Sequence, residues 1–417
     1  MIQRLTSAIA AIKAIQWRLL IPFFDTTAMD WAIEARFLRW LTFLWLFVGL
    51  AVMFSASYPD GDARYGSGLY WFQRQVIGVL VGMIVFNVLV HAPLRYVQGM
   101  ADWFFFIFLG GICLTILPGL GTSVDGGARW IGAGPFLIQP SEYIKPFLIL
   151  QGARIFGQWE RLTWRVRLTW MGIFCFMLFC ILLQPNLSTT ALCGMALWLI
   201  ALAAGLPYLY LSATAVGGFL LAMLSIGLRE YQRRRVMSFL NPWGDPEGDG
   251  YQLVQSLLAI GSGGIKGAGY GLSQQKLFYL PIQYTDFIFS VFAEEFGLIG
   301  SLCFMGLLLI YGTLALIVAR KTKNLVQRLI AIGVMIFMVG QSLLNIAVAT
   351  GAMPTTGLPL PLFSYGGSSM ISSLMCAALL IRVARESREA DVVSFPKRAS
   401  SEPIDIRSRR RKPNATS

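Results

Sequence analysis

Ten apolar runs, each long enough to cross a bilayer, constrain this chain more than any other feature. They fall at about 38–57, 71–91, 102–120, 137–156, 168–184, 187–205, 207–228, 286–319, 326–350 and 364–384, against the roughly 20 residues a spanning helix needs. Hydrocarbon offers a backbone no hydrogen-bond partners, so runs of this length fold as helices. Composition agrees. Only 13% of the 417 residues are charged and 56% are hydrophobic, whereas soluble domains carry roughly 25% charge. The expected fold is an all-α polytopic membrane protein of about ten transmembrane helices.

Lysine and arginine set the orientation. With the N-terminus inside, 24 of the 34 basic residues fall on the inner side, which places both termini in the cytoplasm. By parity 229–285, between the seventh and eighth helices, is a long external loop, although it carries Arg229, Arg233, Arg234, Arg235, Lys266 and Lys276. Loops this long translocate regardless of charge, and external basic residues suit an anionic ligand. Three regions follow: a cytoplasmic N-terminal arm (1–35), a ten-helix membrane domain (36–385) and a disordered basic cytoplasmic tail (386–417). Lys13 and Arg18 interrupt the arm's apolar stretch and no small-residue cleavage site follows, so it reads as a surface-lying arm and not a signal peptide. A formal charge of +13 would suggest nucleic acid in a soluble chain. Here the basic residues sit between apolar runs and in the tail, where they meet an anionic leaflet, and no nucleic-acid partner is expected.

Residue counts exclude several chemistries. All six cysteines lie inside apolar runs without a CxxC spacing, as small hydrophobes do. A single histidine, His91, leaves too few groups for a histidine metal site, a Ser-His-Asp triad or a Cys-His dyad. No metal ligand is assigned. Acid–base work near neutral pH falls to Asp, Glu, Lys or Tyr.

Polar groups at membrane depth are costly and therefore informative. Glu142 and Lys145 stand three apart, on one helix face, where they can neutralise each other; such a pair also simply orients a helix. Arg129 precedes them on the outer side, placed either to hold a pyrophosphate or to anchor at headgroup level. In QPNLSTT (184–190), Pro185 ends one helix and Asn186 or Ser188 caps the next. The Gly-rich stretch 261–271 is a flexible connector or a phosphate cradle. The segment 345–370 holds too much Pro and Gly for a continuous helix, so its backbone must face protein or water. Asp286 opens the eighth apolar run. The charge-free part of that run, 296–319, already spans, which puts Asp286 at the outer interface. On a common helix Glu294 stands about 80° round from it and Glu295 on the far side, so either glutamate can pair internally. For Asp286 both a structural ion pair and a functional acid remain open.

Several motifs together carry a resemblance. Asn345 is followed after five residues by GAMPTTGLPLPLFSYGGSS; GARWIG lies just before the fourth run and QPSE at its start; and GYQLVQSLLAIGSGGIKGAGYGLSQQK leads to YLP and TDFIF. Over roughly 36–390 the chain resembles the SEDS family (FtsW, RodA and the sporulation homologue). QSL at 255–257 and SQQKLFYLP at 273–281 are more similar to its division branch, FtsW, than to the elongation branch. The resemblance implies a peptidoglycan glycosyltransferase that polymerises lipid II, a polyprenyl-pyrophosphate disaccharide-pentapeptide, at the division septum of the cytoplasmic membrane. It implies a class B penicillin-binding protein as transpeptidase partner, with other divisome membrane proteins. Asp286 is implied as the catalytic acid, Glu142 and Lys145 as the membrane-cavity pair, and Ser364 as a substrate-binding residue of the FSYGGSS run. Two positions depart from the family pattern. Asn186 stands where an acid is common, and Tyr284 stands where a histidine commonly precedes TDFIF.

The chemistry assigns roles. The 4-hydroxyl of an acceptor sugar attacks the anomeric carbon of a donor whose leaving group is polyprenyl pyrophosphate, which needs a base and positive charge. Asp286 is the expected base, with Arg129, Arg234, Arg235 and Lys276 as candidates for binding the substrate's charge. No tightly bound cofactor is expected, and a loosely held divalent cation, Mg2+ or Mn2+, is compatible. The rival readings are a lipid II flippase built on the same groove and broken helices, and a noncatalytic divisome scaffold.

Overall fold

The computed structural model describes residues 26–392, apart from 118, 120, 125, 126, 134 and 135. Of the expected 1–35 arm and 386–417 tail, residues 1–25 and 393–417 lie outside the described residues; 26–30 form a short 3-10 turn, and 386–392, expected to be disordered, continue the last helix. Helices occupy all ten expected places: α1 (Ile33–Tyr65), α2 (Tyr70–His91), α3 (Leu94–Ile116), α4 (Pro140–Gly157), α5 (Trp164–Leu183), α6 (Leu187–Ala203), α7 (Tyr208–Leu228), α10 (Ile288–Lys321), α11 (Leu325–Ala349) and α12 (Gly367–Val392). Two further helices, α8 (Glu230–Leu240) and α9 (Tyr251–Gly263), lie between α7 and α10. Eight of the ten are long and apolar enough to cross a membrane on their own. Of the others, α6 has 17 residues, and α4 carries Glu142, Lys145 and Arg154.

The helices stop where the sequence supplies breakers. Gly66 caps α1 in the left-handed conformation, at φ 67°. Pro93 and Pro207 stand immediately before α3 and α7, and Pro140 is the first residue of α4, where its missing N–H costs nothing. The Asn186 and Asn324 side chains accept backbone N–H bonds from Thr189 and Val326 and so cap α6 and α11. α12 is the central shaft, 89% buried over its most apolar window, whereas α7 at 11% is almost wholly peripheral. By parity the connections 66–69, 117–139, 184–186, 229–287 and 350–366 share one end of the bundle, called here the loop face.

The structure departs from the expected boundaries where polar contacts override hydropathy. α1 continues through Pro59 to Tyr65, well past 57, and its added turns carry Asp60 and Arg64, ion-paired at 2.8 Å. Residues 137–138, expected in the fourth span, belong to a small antiparallel sheet, β1 (Thr122–Val124), β2 (Gly127–Ala133) and β3 (Phe136–Ile138), in the order β1-β2-β3. α10 opens at Ile288, so Asp286 precedes the helix and the 80° relation to Glu294 does not apply.

Two stretches of broken backbone are packed inside protein. Around Gly297, at φ 65° and ψ −163°, α10 loses its helical geometry. The Gly-rich stretch after α9 fills that break: Ala268 and Gly269 donate to the Glu294 and Glu295 carbonyls, and Leu298 and Ile299 donate to Gly264 and Ile265. A Cβ at Gly267 would stand 2.2 Å from the Glu295 carbonyl oxygen, so only glycine permits this approach. These glycines are therefore a packed joint, and amides that a phosphate would have needed are spent on protein. Likewise 358–363 dips into the bundle until the Leu362 carbonyl oxygen lies where a Cβ on Gly49 of α1 would be, 2.1 Å away. Side chains satisfy its backbone: Asn345 Nδ2 donates to Leu358 O at 2.9 Å, and Gln341 Nε2 to Pro359 O at 2.7 Å.

Candidate functional site

Asp286 sits on the loop face in the turn 284–286, half-buried, just before the positive end of α10. The backbone of that turn is held from α11 and from the 358–366 segment. Asn345 Nδ2 donates to Asp286 O at 2.7 Å, Ser364 Oγ to Thr285 O at 2.6 Å, and Tyr365 N to Tyr284 O at 2.8 Å. Gln75 of α2 clasps that segment, donating to Ser364 O at 3.2 Å and accepting from Gly366 N at 3.1 Å. Asp286 is thus a side chain on a fixed backbone.

Arg235 meets Asp286 across Gly357. A Cβ there would lie 3.4 Å from Asp286 Oδ2 and 3.8 Å from Arg235 Nη1, so carboxylate and guanidinium converge on one backbone point. Gly357 is at φ 71°, a conformation that favours glycine. Arg235 also donates to Thr355 O at 3.3 Å and stacks 4.6 Å over the Tyr231 ring. A cleft of about 660 Å³ opens beside it, lined by Arg234, Arg235, Glu247, Asp249, Pro281 and Thr355 among others. Arg234 is on the outer side of α8, 2.7 Å from Glu230 and 4.0 Å from Asp249. Its guanidinium holds Glu230 below the usual carboxylate range.

The other sequence candidates are distributed differently. Lys276 is 5% exposed, and its ammonium is committed to Glu295 Oε1 at 2.9 Å and Ser55 Oγ at 2.8 Å. Glu294 accepts from Ser273 Oγ and from the amides of Gln274 and Gln275. Both glutamates therefore tie the stretch 273–276 to α10, the internal pairing expected of them. Arg129, on β2, donates to the carbonyls of Gln184 and Pro185 and braces the turn between α5 and α6. Glu142 and Lys145 are buried in the bundle, 2.7 Å apart, and Lys145 also donates to Gln341 Oε1 at 3.2 Å. Ser364 is buried and bonded to backbone on both sides, since its Oγ accepts from Leu360 N. The structure thus brings Asp286, Arg235 and Ser364 to one place. Glu142 and Lys145 lie within the bundle instead. Among the described residues no cluster of three or more His, Cys, Asp and Glu is arranged to hold a metal ion.

Both departures from the family pattern have structural explanations. Asn186 Oδ1 accepts from Thr189 N at 3.1 Å, an N-cap that aspartate and asparagine perform equally well. Tyr284 is 6% exposed under Trp71 with its hydroxyl 3.5 Å from Asp60; burial pushes its phenol well above the usual range, so it stays protonated. Asp60, beyond the expected end of the first run at 57, is 4% exposed and accepts from Trp71 Nε1 at 2.9 Å; hydropathy carries no signal for it.

Residues 35–389 match the family model for the cell cycle proteins FtsW, RodA and SpoVE. The chain is 57% identical over 376 residues to the probable peptidoglycan glycosyltransferase FtsW of Synechocystis sp., covering 90% of this chain and 95% of that protein. It is 33% identical to stage V sporulation protein E of Bacillus subtilis, over 84% of this chain and 96% of that one. Among solved structures, a chain of a peptidoglycan synthase complex that coordinates polymerization and crosslinking is similar at TM-score 0.67 and 28% identity, covering 84% of this chain and 97% of that chain. The rod shape determining protein RodA of Thermus thermophilus is similar at TM-score 0.62 and 26% identity, covering 84% and 96%. The chain belongs to the FtsW, RodA and SpoVE family of cell cycle proteins.

Proposed function

We propose that this multi-pass membrane protein is a peptidoglycan glycosyltransferase that polymerises lipid II on the outer side of the cytoplasmic membrane during septal wall synthesis. The observation that carries the reading is the convergence of Asp286 and Arg235 on Gly357 at the loop face, on a backbone fixed from α2, α11 and the 358–366 segment. The similarity to proteins named peptidoglycan glycosyltransferase supports the same chemistry.

Asp286 takes the proton from the acceptor sugar's 4-hydroxyl as the oxygen attacks the donor's anomeric carbon. Arg235, with Arg234 beside it, offsets charge on the departing polyprenyl pyrophosphate. Glu247 and Asp249 line the same cleft, an oxygen-donor set suited to Mg2+ or Mn2+ together with phosphate oxygens. Such a cation, when bound, would neutralise leaving-group charge. The lipid tail needs an apolar channel at the bundle's edge, and the sparsely packed α7 is the helix best placed to border it. The broken helices are not gates in this reading; they hold Asp286 still. A class B penicillin-binding protein is the partner that crosslinks the product, in keeping with the synthase complex this fold resembles.

The test is polymerisation of purified lipid II by the reconstituted protein, wild type against Asp286→Asn, with and without partner and chelator. Glycan from the wild type and none from Asp286→Asn, at equal folded protein, is the expected result. Translocation of lipid II has one observation in its favour, the buried Glu142–Lys145 pair. Leaflet accessibility of labelled lipid II, scored in parallel, separates the two.

A further inference from the structure

A second cleft adjoins the first and has no part in the mechanism above. Arg234 and Ser238, one turn apart on α8, line both and form the ridge between them. Tyr231 and Arg235 flank the ridge on the side of the larger cleft; Arg233, Met237 and Asn241 flank it on the other, where a cleft of about 250 Å³ opens. The stretch 244–250 borders both, with Asp249 lining each and Asp245 only the smaller. This rim is pinned. Asp249 N donates to Asp245 Oδ2 at 3.0 Å and Gly250 N to Asp245 O at 3.1 Å. A Cβ on Gly250 would lie 2.2 Å from the Pro242 carbonyl oxygen, so the turn closes tightly on itself.

Size and charge restrict what the smaller cleft can take. Sites for complete ligands run to roughly 300–1,000 Å³; the larger cleft is within that range and the smaller below it, as suits an appendage of whatever the larger one holds. Its charges are mixed, two arginines from α8 and two aspartates from the rim. A second phosphate would meet two carboxylates, and a bare cation two guanidiniums. A group carrying both signs complements all four. Arg234 is already paired with Glu230 at 2.7 Å, so Arg233, exposed on the far flank, is the principal anion partner. A disaccharide-pentapeptide supplies such a group. Its peptide is attached to the same sugar whose anomeric carbon bears the pyrophosphate, ends in a carboxylate, and carries the free amine that a transpeptidase needs as nucleophile.

We propose that the cleft of Arg233, Met237, Asn241 and Asp245 binds the peptide of the pyrophosphate-bearing sugar, its carboxylate on Arg233 and its amine on Asp245. This rests on the polymerase reading and deepens it, by naming what tells the substrate from a bare lipid pyrophosphate. The placement carries the argument. With the pyrophosphate beside Arg235 and Arg234, a peptide leaving the same sugar has only the Arg234–Ser238 ridge to cross before it reaches the smaller cleft. The contact is remote from the reacting carbon and is made equally before and during the reaction, so it lowers KM and leaves kcat alone.

The test uses the full-length reconstituted protein with two substrates, lipid II and a lipid II analogue without its peptide, and compares wild type, Arg233→Ala and Arg233→Lys at equal folded protein. Arg233→Ala is expected to raise KM for lipid II about tenfold at unchanged kcat, with Arg233→Lys recovering to within about threefold. On the peptide-free analogue the three proteins should be indistinguishable. Anisotropy of a fluorescent, lipid-free muramyl pentapeptide should show the same order of binding. An equal loss on both substrates overturns the peptide cleft, because the arginine would then be acting on the pyrophosphate. No change on either substrate overturns it too, as does a defect seen only with the transpeptidase present, the result expected of a protein contact. A wild type that binds the muramyl pentapeptide through Arg233 but polymerises neither substrate removes the polymerase reading and keeps the cleft; one that polymerises lipid II exactly as Arg233→Ala does removes the cleft alone.

Discussion

Two pairs of opposite charge define this protein, and they differ in what surrounds them. Glu142 and Lys145 lie inside the bundle with side chains 4% exposed, locked at 2.7 Å and backed by Gln341. Asp286 and Arg235 lie at the loop face, half-buried, converging on a glycine beside a cleft of about 660 Å³. A closed pair satisfies itself, and its worth lies in orienting helices, because two ions cost several kcal/mol each to desolvate. The open pair stands beside a cleft, lined by Arg235, that an anion can enter. The two are physically joined: Gln341 accepts from Lys145 and donates to Pro359 O, on the segment that carries Gly357 to Asp286. The buried pair is therefore the foundation and the open pair the site.

Mutations should separate foundation from site. Lys145→Met alone strands a buried carboxylate and is expected to destabilise by about 3–5 kcal/mol. Lys145→Met combined with Glu142→Gln should recover most of that, as read by thermal unfolding in detergent. A single variant as stable as wild type would break the distinction. Arg235→Ala should leave unfolding unchanged and lower kcat/KM for lipid II about a hundredfold, as removal of one transition-state donor does. A large unfolding shift instead would place Arg235 with the foundation. Asn186→Ala should cost about 1 kcal/mol and Asn186→Asp almost nothing. A gain or loss of catalysis with Asp, at unchanged stability, would show that this turn does more than cap α6.

Much of this organisation was legible in the sequence. Helices stand at all ten expected places, and eight of them are apolar enough to follow from hydropathy alone, because hydrocarbon leaves no other solution for such runs. The internal roles of Glu294 and Glu295 follow from the length of charge-free helix after them. Other features depend on distant partners that spacing cannot reveal. Asp286 precedes α10 because the turn 284–286 is bonded to Asn345, Ser364 and Tyr365, some 60 to 80 residues away. The Gly-rich stretch at 261–271 looked like a connector or a phosphate cradle and is a joint against the break at Gly297, since nothing local shows which carbonyls will take its amides. Lys276 resembled a surface cation until Glu295 and Ser55 surrounded it. Asp60 lies past the apolar run that ends at 57, on turns of α1 that hydropathy does not mark.

The central claim is that Asp286, held by a fixed backbone opposite Arg235, is the base for glycan polymerisation. The most direct measurement is the rate of lipid II polymerisation by purified Asp286→Asn protein, normalised to folded protein. The account predicts a loss of at least about a hundredfold with unfolding unchanged. Glycan formed by Asp286→Asn at near the wild-type rate would contradict it.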